Sequence, residues 1–240
     1  MLWALLFSII FGSSNNLMTI PKFNKYAKKN IEDKERLAQV LEYRKEIKSE
    51  KKAFHKKDKK ALKTYDQLFA DPTIPNDSVY SFFSKHIEDE KTFLTEGLDL
   101  TIKGKSYITE SEWQSIVKDF NDDHKKLIKY HDKTRKKVNK HLEKLRSLEM
   151  VKTKNLENDI NRFSTSTHQC LEKRIAIQLP YNEVLLQFTS SRPEYIEVID
   201  SLIASKYEML ETQLQLRQVL MDNLSNSEFK KMTKPIIKID

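Results

Sequence analysis

Six histidines are the residues in this sequence best suited to hold a metal ion, and their spacing argues against such a site. His124 and His131 lie two helical turns apart, or about 10 Å along a helix axis. Two ligands of one metal ion must lie much closer together than that. The sequence also contains no Glu-x-x-His pair, which di-metal helical bundles use. We therefore predict no metal site and interpret the histidines as partly buried packing residues.

Other catalytic patterns are missing as well. Three glycines leave no loop that would cradle a phosphate, and there is no Gly-x-Ser-x-Gly or Cys/His constellation. Carboxylates are numerous, but nothing selects a general acid–base pair among them. The single cysteine, Cys170, excludes an internal disulfide framework and is best interpreted as a small apolar residue on a helix. We predict a protein that is not an enzyme and binds no cofactor.

The charge of the chain indicates an anionic partner. Lys and Arg number 43 against 35 Asp and Glu, which gives a net charge of +8. Such a balance is typical of proteins that bind membranes or nucleic acid. The sequence has no zinc-finger spacing, no aromatic stacking motif and no compact recognition helix, which argues against nucleic acid. An anionic phospholipid membrane is therefore the expected partner.

The longest pattern runs from about Thr109 to about Ile177 and contains no glycine or proline. Apolar and weakly polar residues recur there every three or four positions, as in a coiled coil. A continuous helix over this stretch would be about 100 Å long. The pattern consists of Phe120, His124, Leu127, His131, Thr134, Val138, His141, Leu145 and Leu148.

A second heptad-like pattern, from Leu37 to Leu68, is interrupted at core positions by Arg44, Lys51 and Asp58. A dense group of lysines between Lys48 and Lys63 lies on the same predicted helix. It is interpreted either as a solvated face or as a contact surface.

Prolines, glycines and capping residues predict where the helices end. Pro72 and Pro75 end the second predicted helix, and Asp77 or Ser78 caps the next one. Gly97 and Gly104 are expected to stop or kink that helix. Thr109 and Glu112 form a capping box for the long stretch, Pro180 is expected to break it, and Pro193 opens the last long helix.

The first seventeen residues allow two interpretations. The apolar run from Leu2 to Phe11 is too short to span a bilayer comfortably and fits the core of a signal peptide, but no Lys or Arg precedes it. Met18 offers an alternative start of an ordinary cytosolic chain. Asn76 and Asn223 stand in glycosylation acceptor patterns that a secreted protein could use.

Residues 18–34 form a basic amphipathic segment. Ile20, Phe23, Ala27 and Ile31 recur at helical spacing, and lysines lie between them. The pattern favours either a helix lying in a membrane interface or the frayed start of the next helix. Phe23 is the residue expected to contribute most to insertion, because its burial is worth about 1.5–3 kcal/mol.

Two stretches of the sequence resemble the BAR-domain superfamily. The first is the basic lead-in Ile20-Pro21-Lys22-Phe23-Asn24-Lys25-Tyr26. The second, Lys129-Tyr130-His131-Asp132-Lys133-Thr134-Arg135-Lys136-Lys137, is similar to the Tyr-x-x-x-Arg-Lys type of stretch in the middle helix of that family. The resemblance implies a crescent-shaped antiparallel homodimer that binds and curves anionic membranes in endocytosis and vesicle trafficking.

These observations predict an all-α fold built as an elongated antiparallel coiled coil, with three long kinked helices and a shorter fourth segment. We divide the chain into an apolar leader (1–17), the basic amphipathic segment (18–34), an elongated BAR-like domain (35–226) and a loose tail (227–240). A homodimer is expected, because the apolar faces are narrow for a monomer.

The predicted function is that of a peripheral, cytoplasmic membrane scaffold that senses or shapes curvature. The alternative is a secreted or lumenal helical protein that acts through protein–protein contact. The residues expected to contact the membrane are Lys22, Phe23, Lys25, Lys28, Lys29, Lys125, Lys126, Lys129, Lys133, Lys136, Lys137 and Lys140.

Overall fold

The computed structural model describes residue 20 and residues 22–147 and 154–233, with the side chains of 122–131, 144, 154 and 178–182 left out. The described residues form helices and no strand, which confirms the all-α prediction. The leader at 1–17 and the last residues, 234–240, lie outside the described part.

Seven helices follow one another along the described chain. They are α1 (Phe23–Asn30), α2 (Lys34–Ala70), α3 (Asn76–Lys105), α4 (Glu110–Arg146), α5 (Lys154–Leu186), α6 (Arg192–Asn223) and α7 (Asn226–Thr233). At about 1.5 Å per residue the five long helices measure roughly 45–55 Å each. The three-helix layout expected for the long helices is therefore replaced by five.

The five long helices pack side by side in the order α2, α3, α6, α5, α4. Neighbours run in opposite directions, as the ring contacts Tyr65–Phe83 and Phe54–Phe93 between α2 and α3 show. The chain direction reverses at each of the four contacts in this order, so α2 and α4 run parallel. The short α1 contacts both α2 and α4 at the end where those helices begin, and α7 packs on α2 and α6.

Helix α6 occupies the middle of the packing order and is buried on the sides that face α3 and α5. Its apolar residues Leu202, Met209, Leu210 and Leu220 are completely shielded from solvent. Helices α3 and α5 cover it from two sides, and polar residues such as Glu197, Glu211 and Gln215 stay exposed on the remaining side. The other helices take their positions around it.

The long stretch from Thr109 to Ile177 is not one continuous helix, and that prediction was wrong. Thr109 does cap α4 through the predicted capping box with Glu112. However, α4 ends at Arg146, and α5 returns antiparallel to it. The Arg135 guanidinium binds the Glu172 carboxylate at 2.8 Å across this pair.

The apolar pattern of this stretch finds its partner within the same chain. Val138, Leu142 and Leu145 of α4 and Leu156 and Ile160 of α5 are all buried. Folding back buries both faces of the stretch, whereas an extended rod would leave them in water or require a second copy. Hydrophobic burial therefore favours the hairpin.

Two predicted helix boundaries, at Pro180 and Gly97, also need correction, whereas the predicted end near Gly104 is confirmed. Helix α5 continues through Pro180 to Leu186, and the burial of Leu185 beyond the proline compensates for the lost backbone hydrogen bond. Gly97 does not stop α3, which runs on to Lys105. Gly104, next to this end, also permits a close approach to α2, because a Cβ there would lie 3.3 Å from the Cβ of Tyr43.

The ends of two other helices differ from the sequence analysis as well. Pro75, rather than Asp77 or Ser78, is the N-cap of α3. Asn76 directs its side chain to Arg217 on α6 instead of capping its own helix. The tail predicted as loose contains α7, whose Phe229 and Met232 are buried against the bundle.

Arg217 joins the α2–α3 connection to α6. Its side chain is fully buried and donates to the carbonyl oxygens of Phe69 at 2.9 Å, Asp71 at 2.7 Å and Ile74 at 2.8 Å, as well as to Asn76. These carbonyl groups lie where α2 ends and have no helical partner of their own. One side chain therefore satisfies the end of α2 and positions the turn into α3.

We predict that Arg217→Met lowers the free energy of unfolding by at least about 3 kcal/mol, because several buried acceptors lose their donor. Urea unfolding measures the change. Arg162→Met is the matched control, since the Arg162 side chain is 83% exposed and its loss should change stability by less than about 0.5 kcal/mol. Equal stability of the two variants would contradict this role of Arg217.

Candidate functional site

Helix α2 exposes a row of lysines that we call the α2 basic row. None of them pairs with a carboxylate of a described residue. Lys51, on the same helix, is only half exposed, and burial together with the nearby Arg44 charge lowers its pKa. The α2 basic row consists of Lys48, Lys52, Lys56, Lys57, Lys59, Lys60 and Lys63.

Helix α4 carries a second set of exposed lysines, the α4 basic row, formed by Lys133, Lys136, Lys137 and Lys140. They belong to the predicted membrane-binding residues, and no described carboxylate pairs with them. The side chains of Lys125, Lys126 and Lys129, predicted for the same surface, lie outside the described part. Arg135 does not join this row, because it binds Glu172.

The α4 basic row lies at the same level of the bundle as the last part of the α2 basic row, from Lys57 to Lys63. Arg36, near the start of α2, binds Glu112, near the start of α4, with an N–O distance of 2.8 Å. The two helices run parallel from this pair. A residue on α2 and a residue on α4 that follow Arg36 and Glu112 by the same number of positions therefore lie at the same distance along the bundle. Lys57–Lys63 and Lys133–Lys140 therefore both lie about 30–40 Å from it.

Several cations elsewhere on the surface are paired across helix interfaces. Lys91 binds Asp200 on α6, Lys173 of α5 binds Glu208 on α6, and Arg192 of α6 binds Asp99 on α3, all within 2.7–2.8 Å. Acidic residues outnumber basic ones on α3 and α6, whereas the reverse holds for α2 and α4. The positive charge is therefore concentrated on the two helices that carry the basic rows.

The predicted membrane wedge is part of the core. Ile20, Phe23, Ala27 and Ile31 are all buried, at 3%, 6%, 0% and 3% exposure. The Phe23 ring lies 6.2 Å from the ring of Trp113 on α4. The segment is thus neither a frayed helix start nor an exposed wedge, and Phe23 reaches lipid only if α1 leaves the bundle.

The lysines of this segment do face solvent. Lys22, Lys25 and Lys28 are exposed on the outer side of α1. Lys29 donates to Asp119 at 2.8 Å, and this contact lowers the pKa of the Asp119 carboxyl. Asn30 binds the same carboxylate at 2.9 Å, so Asp119 holds the end of α1 against α4.

A cavity lies beneath α1, where helices α1 to α5 meet. Apolar side chains form most of its wall, and two cations, Arg44 and Lys105, line it as well. Burial lowers the pKa of Arg44 to about 10 and the pKa of Lys105 to about 8. The sequence marked Arg44 only as an interruption of an apolar pattern and gave no signal for Lys105.

Buried polar contacts join the helices deeper in the bundle. Lys206 of α6 and Glu90 of α3 form an ion pair with 1% and 7% side-chain exposure. Asp58, the last interruption of the α2 pattern, lies 3.0 Å from His86 Nε2. His86 also stacks on Phe54, as expected for a histidine that serves packing.

The remaining chemical predictions concern metal, cysteine and glycan. No group of metal-binding side chains occurs among the described residues. Cys170 is buried, and burial raises the pKa of its thiol to about 11, which suits a packing role. Asn76, in a glycosylation pattern, donates its side-chain amide to Leu214 O and Gln218, whereas Asn223 is exposed.

Searches for relatives identified no matching family model, no matching curated protein and no matching solved structure. Within the described part, no helix has the length and apolar character needed to cross a bilayer. The functional interpretation therefore rests on the chain's own geometry and charge.

The buried Lys105 predicts a pH dependence of stability. Its pKa of about 8 in the folded protein lies below the ordinary value of 10.5, so between these values the unfolded chain binds a proton that the folded protein lacks. Stability due to this group therefore rises with pH, by at most about 3 kcal/mol, from pH 8 to 10.5. Lys105→Met should lose this rise.

Denaturant unfolding between pH 7 and 10 measures the effect. Lys105→Met should be more stable than the wild type at pH 7, and the difference should shrink as the pH rises. Lys85→Met, on the exposed side of the same helix, serves as the control and should follow the wild-type curve. Parallel curves for all three proteins would show that Lys105 titrates normally in the fold.

Proposed function

We propose that this protein is a peripheral membrane-binding scaffold that attaches to anionic lipid through the α2 and α4 basic rows. The observation that carries the proposal is the contrast between paired and unpaired cations. Interfacial cations such as Lys91, Lys173 and Arg192 have carboxylate partners, while the basic rows have none among the described residues. An anionic surface would supply the missing counter-charge.

The number of lysines is adequate for such binding. Each basic residue near an anionic surface contributes about 1 kcal/mol, less as salt increases. The two rows contain eleven described lysines, and about eight of them in contact would suffice for micromolar attachment. Binding of this kind needs no pocket and is compatible with two rigid helices at one level.

The proposal needs only one copy of the chain. The apolar pattern that suggested a homodimer is occupied by the α4–α5 hairpin, so a dimer would need a different surface. A BAR-like crescent, which implies two copies, is accordingly a further step of the proposal. The parallel basic rows and the length of the helices support it.

Curvature sensing is the part of the proposal that depends on α1. Its apolar residues could enter a leaflet only after leaving the contacts with Trp113 and Asp119. Membrane insertion thus competes with docking in the bundle, and loosely packed lipid on small vesicles would shift that competition. The lysines on the outer side of α1 would place it near the lipid before it is released.

We predict that Lys56→Glu/Lys60→Glu/Lys63→Glu and Lys133→Glu/Lys137→Glu/Lys140→Glu each abolish sedimentation with phosphatidylserine vesicles at physiological salt. The reason is that each variant replaces attraction with repulsion over one row, while the helices keep their buried faces. Circular dichroism should show unchanged helicity.

The control for this experiment carries the same charge change elsewhere. Lys85, Lys230 and Lys231 are exposed on α3 and α7, and their replacement by Glu should leave most of the binding. An equal loss of vesicle binding in this control would show that binding depends on the net charge of the protein and not on the two basic rows. Full binding by both row variants would overturn the proposed surface.

A second prediction concerns α1. Cysteines at Asn30 and Asp119, joined by a short thiol crosslinker, should hold α1 on the bundle, because these side chains already touch at 2.9 Å. The linked protein should bind flat anionic bilayers normally but lose any preference for small vesicles. Sedimentation with vesicles of two diameters measures both.

The same double variant with its thiols capped separately is the matched control and should keep the vesicle-size preference. If the crosslinked protein prefers small vesicles as strongly as this control, α1 does not contribute to curvature sensing. The secreted alternative is tested separately: the N-terminal sequence of the endogenous protein would show cleavage near Ser14 if residues 1–17 are a signal peptide.

A further inference from the structure

We propose that the apolar leader docks on its own bundle, in a cleft between the start of α4 and the connection from α5 to α6. The occupant is the run from Leu2 to Phe11, in which nine of ten residues are apolar. The cleft has a volume of about 370 Å³, which falls within the roughly 300–1,000 Å³ of small-ligand sites. It therefore has room for a few large side chains of the leader.

The wall of the cleft combines buried apolar residues with exposed polar ones. Trp113 is 3% exposed, and Val117, Leu186 and Phe188 are half-buried. Long polar side chains at the edge of such a site keep their polar ends in water while their stems cover an occupant. The polar residues of the wall are all exposed and are Glu110, Gln114, Lys118, Asn121, Gln187 and Thr189.

The apolar part of the wall is held in place from behind. The Trp113 indole donates its N–H to the carbonyl oxygen of Leu186 at 2.7 Å, which joins α4 to the end of α5. The Lys105 ammonium group lies 4.6 Å from the centre of the Trp113 ring and 5.6 Å from the centre of the Phe188 ring. A cleft formed in advance binds an occupant at a lower entropic cost than one that must first be ordered.

The chain enters the bundle beside this cleft. Ile20 is 3% exposed and lines the cavity beneath α1 together with Trp113 and Leu185. Trp113 and the next residue after Leu185 also line the cleft. The link between Phe11 and Ile20 consists of residues 12–19, which span up to about 30 Å when extended. The leader can therefore reach the cleft from the point where it joins the bundle.

The tether favours the leader of the same chain over other occupants. An apolar run exposed to water gains free energy from any apolar surface that shields it. A short flexible link gives its end an effective concentration of about 1 mM or more at a nearby site, so even weak docking is populated. A second copy of the chain would have to displace this tethered segment.

Docking would withhold the leader from lipid until it leaves the cleft. This consequence rests on the proposed function, because it matters only if the protein attaches to membranes. The docking itself concerns the lipid-free protein. A failure of the docking test and a failure of the vesicle experiments with the basic-row variants are therefore separate results.

Photocrosslinking of the lipid-free full chain tests the docking. Benzoylphenylalanine replaces Gln114, an exposed residue of the wall, and the intact mass of the protein verifies that residues 1–17 are present. Mass spectrometry after irradiation should find crosslinks from this position to residues 2–11. The same group at Ser115, the next residue on α4, is the control, because Ser115 is exposed but does not line the cleft. Its crosslinks to the leader should be several-fold fewer.

A variant and a labelled mixture complete the test. Val117→Glu, added to the Gln114 probe, should remove the crosslinks to the leader, since it places a charge on the apolar part of the wall. Mixing the chain with a 15N-labelled copy should give crosslinks within one copy only. Absence of leader crosslinks from the Gln114 position, equal crosslinking from Ser115, or crosslinks only between labelled and unlabelled copies would overturn the proposal. The Gln114 and Ser115 measurements decide it even if Val117→Glu fails to fold.

Discussion

The bundle depends on the constraint that α6 is buried while carrying long polar side chains. Lys206, Gln213 and Arg217 are each at most 1% exposed, so each needs a partner inside the protein. Lys206 binds Glu90 on α3, Gln213 accepts from the Tyr65 hydroxyl of α2 at 2.7 Å, and Arg217 binds the end of α2. A helix with these three contacts can occupy only one register against α2 and α3, which makes the arrangement of the bundle unique.

The surface follows from this arrangement. Because α3 and α6 lie next to each other with an excess of acids, cations such as Lys91 and Arg192 are neutralised there across helix contacts. The helices at the two ends of the packing order, α2 and α4, keep their lysines unpaired within the described residues. The Arg36–Glu112 pair fixes their relative level. Unpaired positive charge therefore lies on the outer helices α2 and α4, because the cations near the more central helices α3 and α6 find carboxylate partners there.

Some local signals in the sequence predicted local features correctly, although the predicted cap at Asp77 or Ser78 and the predicted break at Pro180 were wrong. The Thr109–Glu112 capping box and the end of α2 before Pro72 depend on neighbouring residues only. No glycine or proline after Arg146 marks the end of α4 in the sequence. The sequence analysis therefore missed the α4–α5 hairpin, which forms because α4 buries apolar residues against α5. The same holds for α1: its amphipathic pattern was recognised, but whether Phe23 faces lipid or Trp113 depends on distant residues. Lys105 is one lysine among many until the fold buries it.

The central claim is that the basic rows of α2 and α4 form one surface that faces anionic lipid. Lysine acetylation of the wild type, read by mass spectrometry with and without phosphatidylserine vesicles, tests it most directly. The account predicts that the α2 and α4 rows lose reactivity together when vesicles are present, while Lys85 on α3 and the lysines of α7 stay reactive. Protection of one row alone, or unchanged reactivity of both rows in vesicle-bound protein, would contradict it.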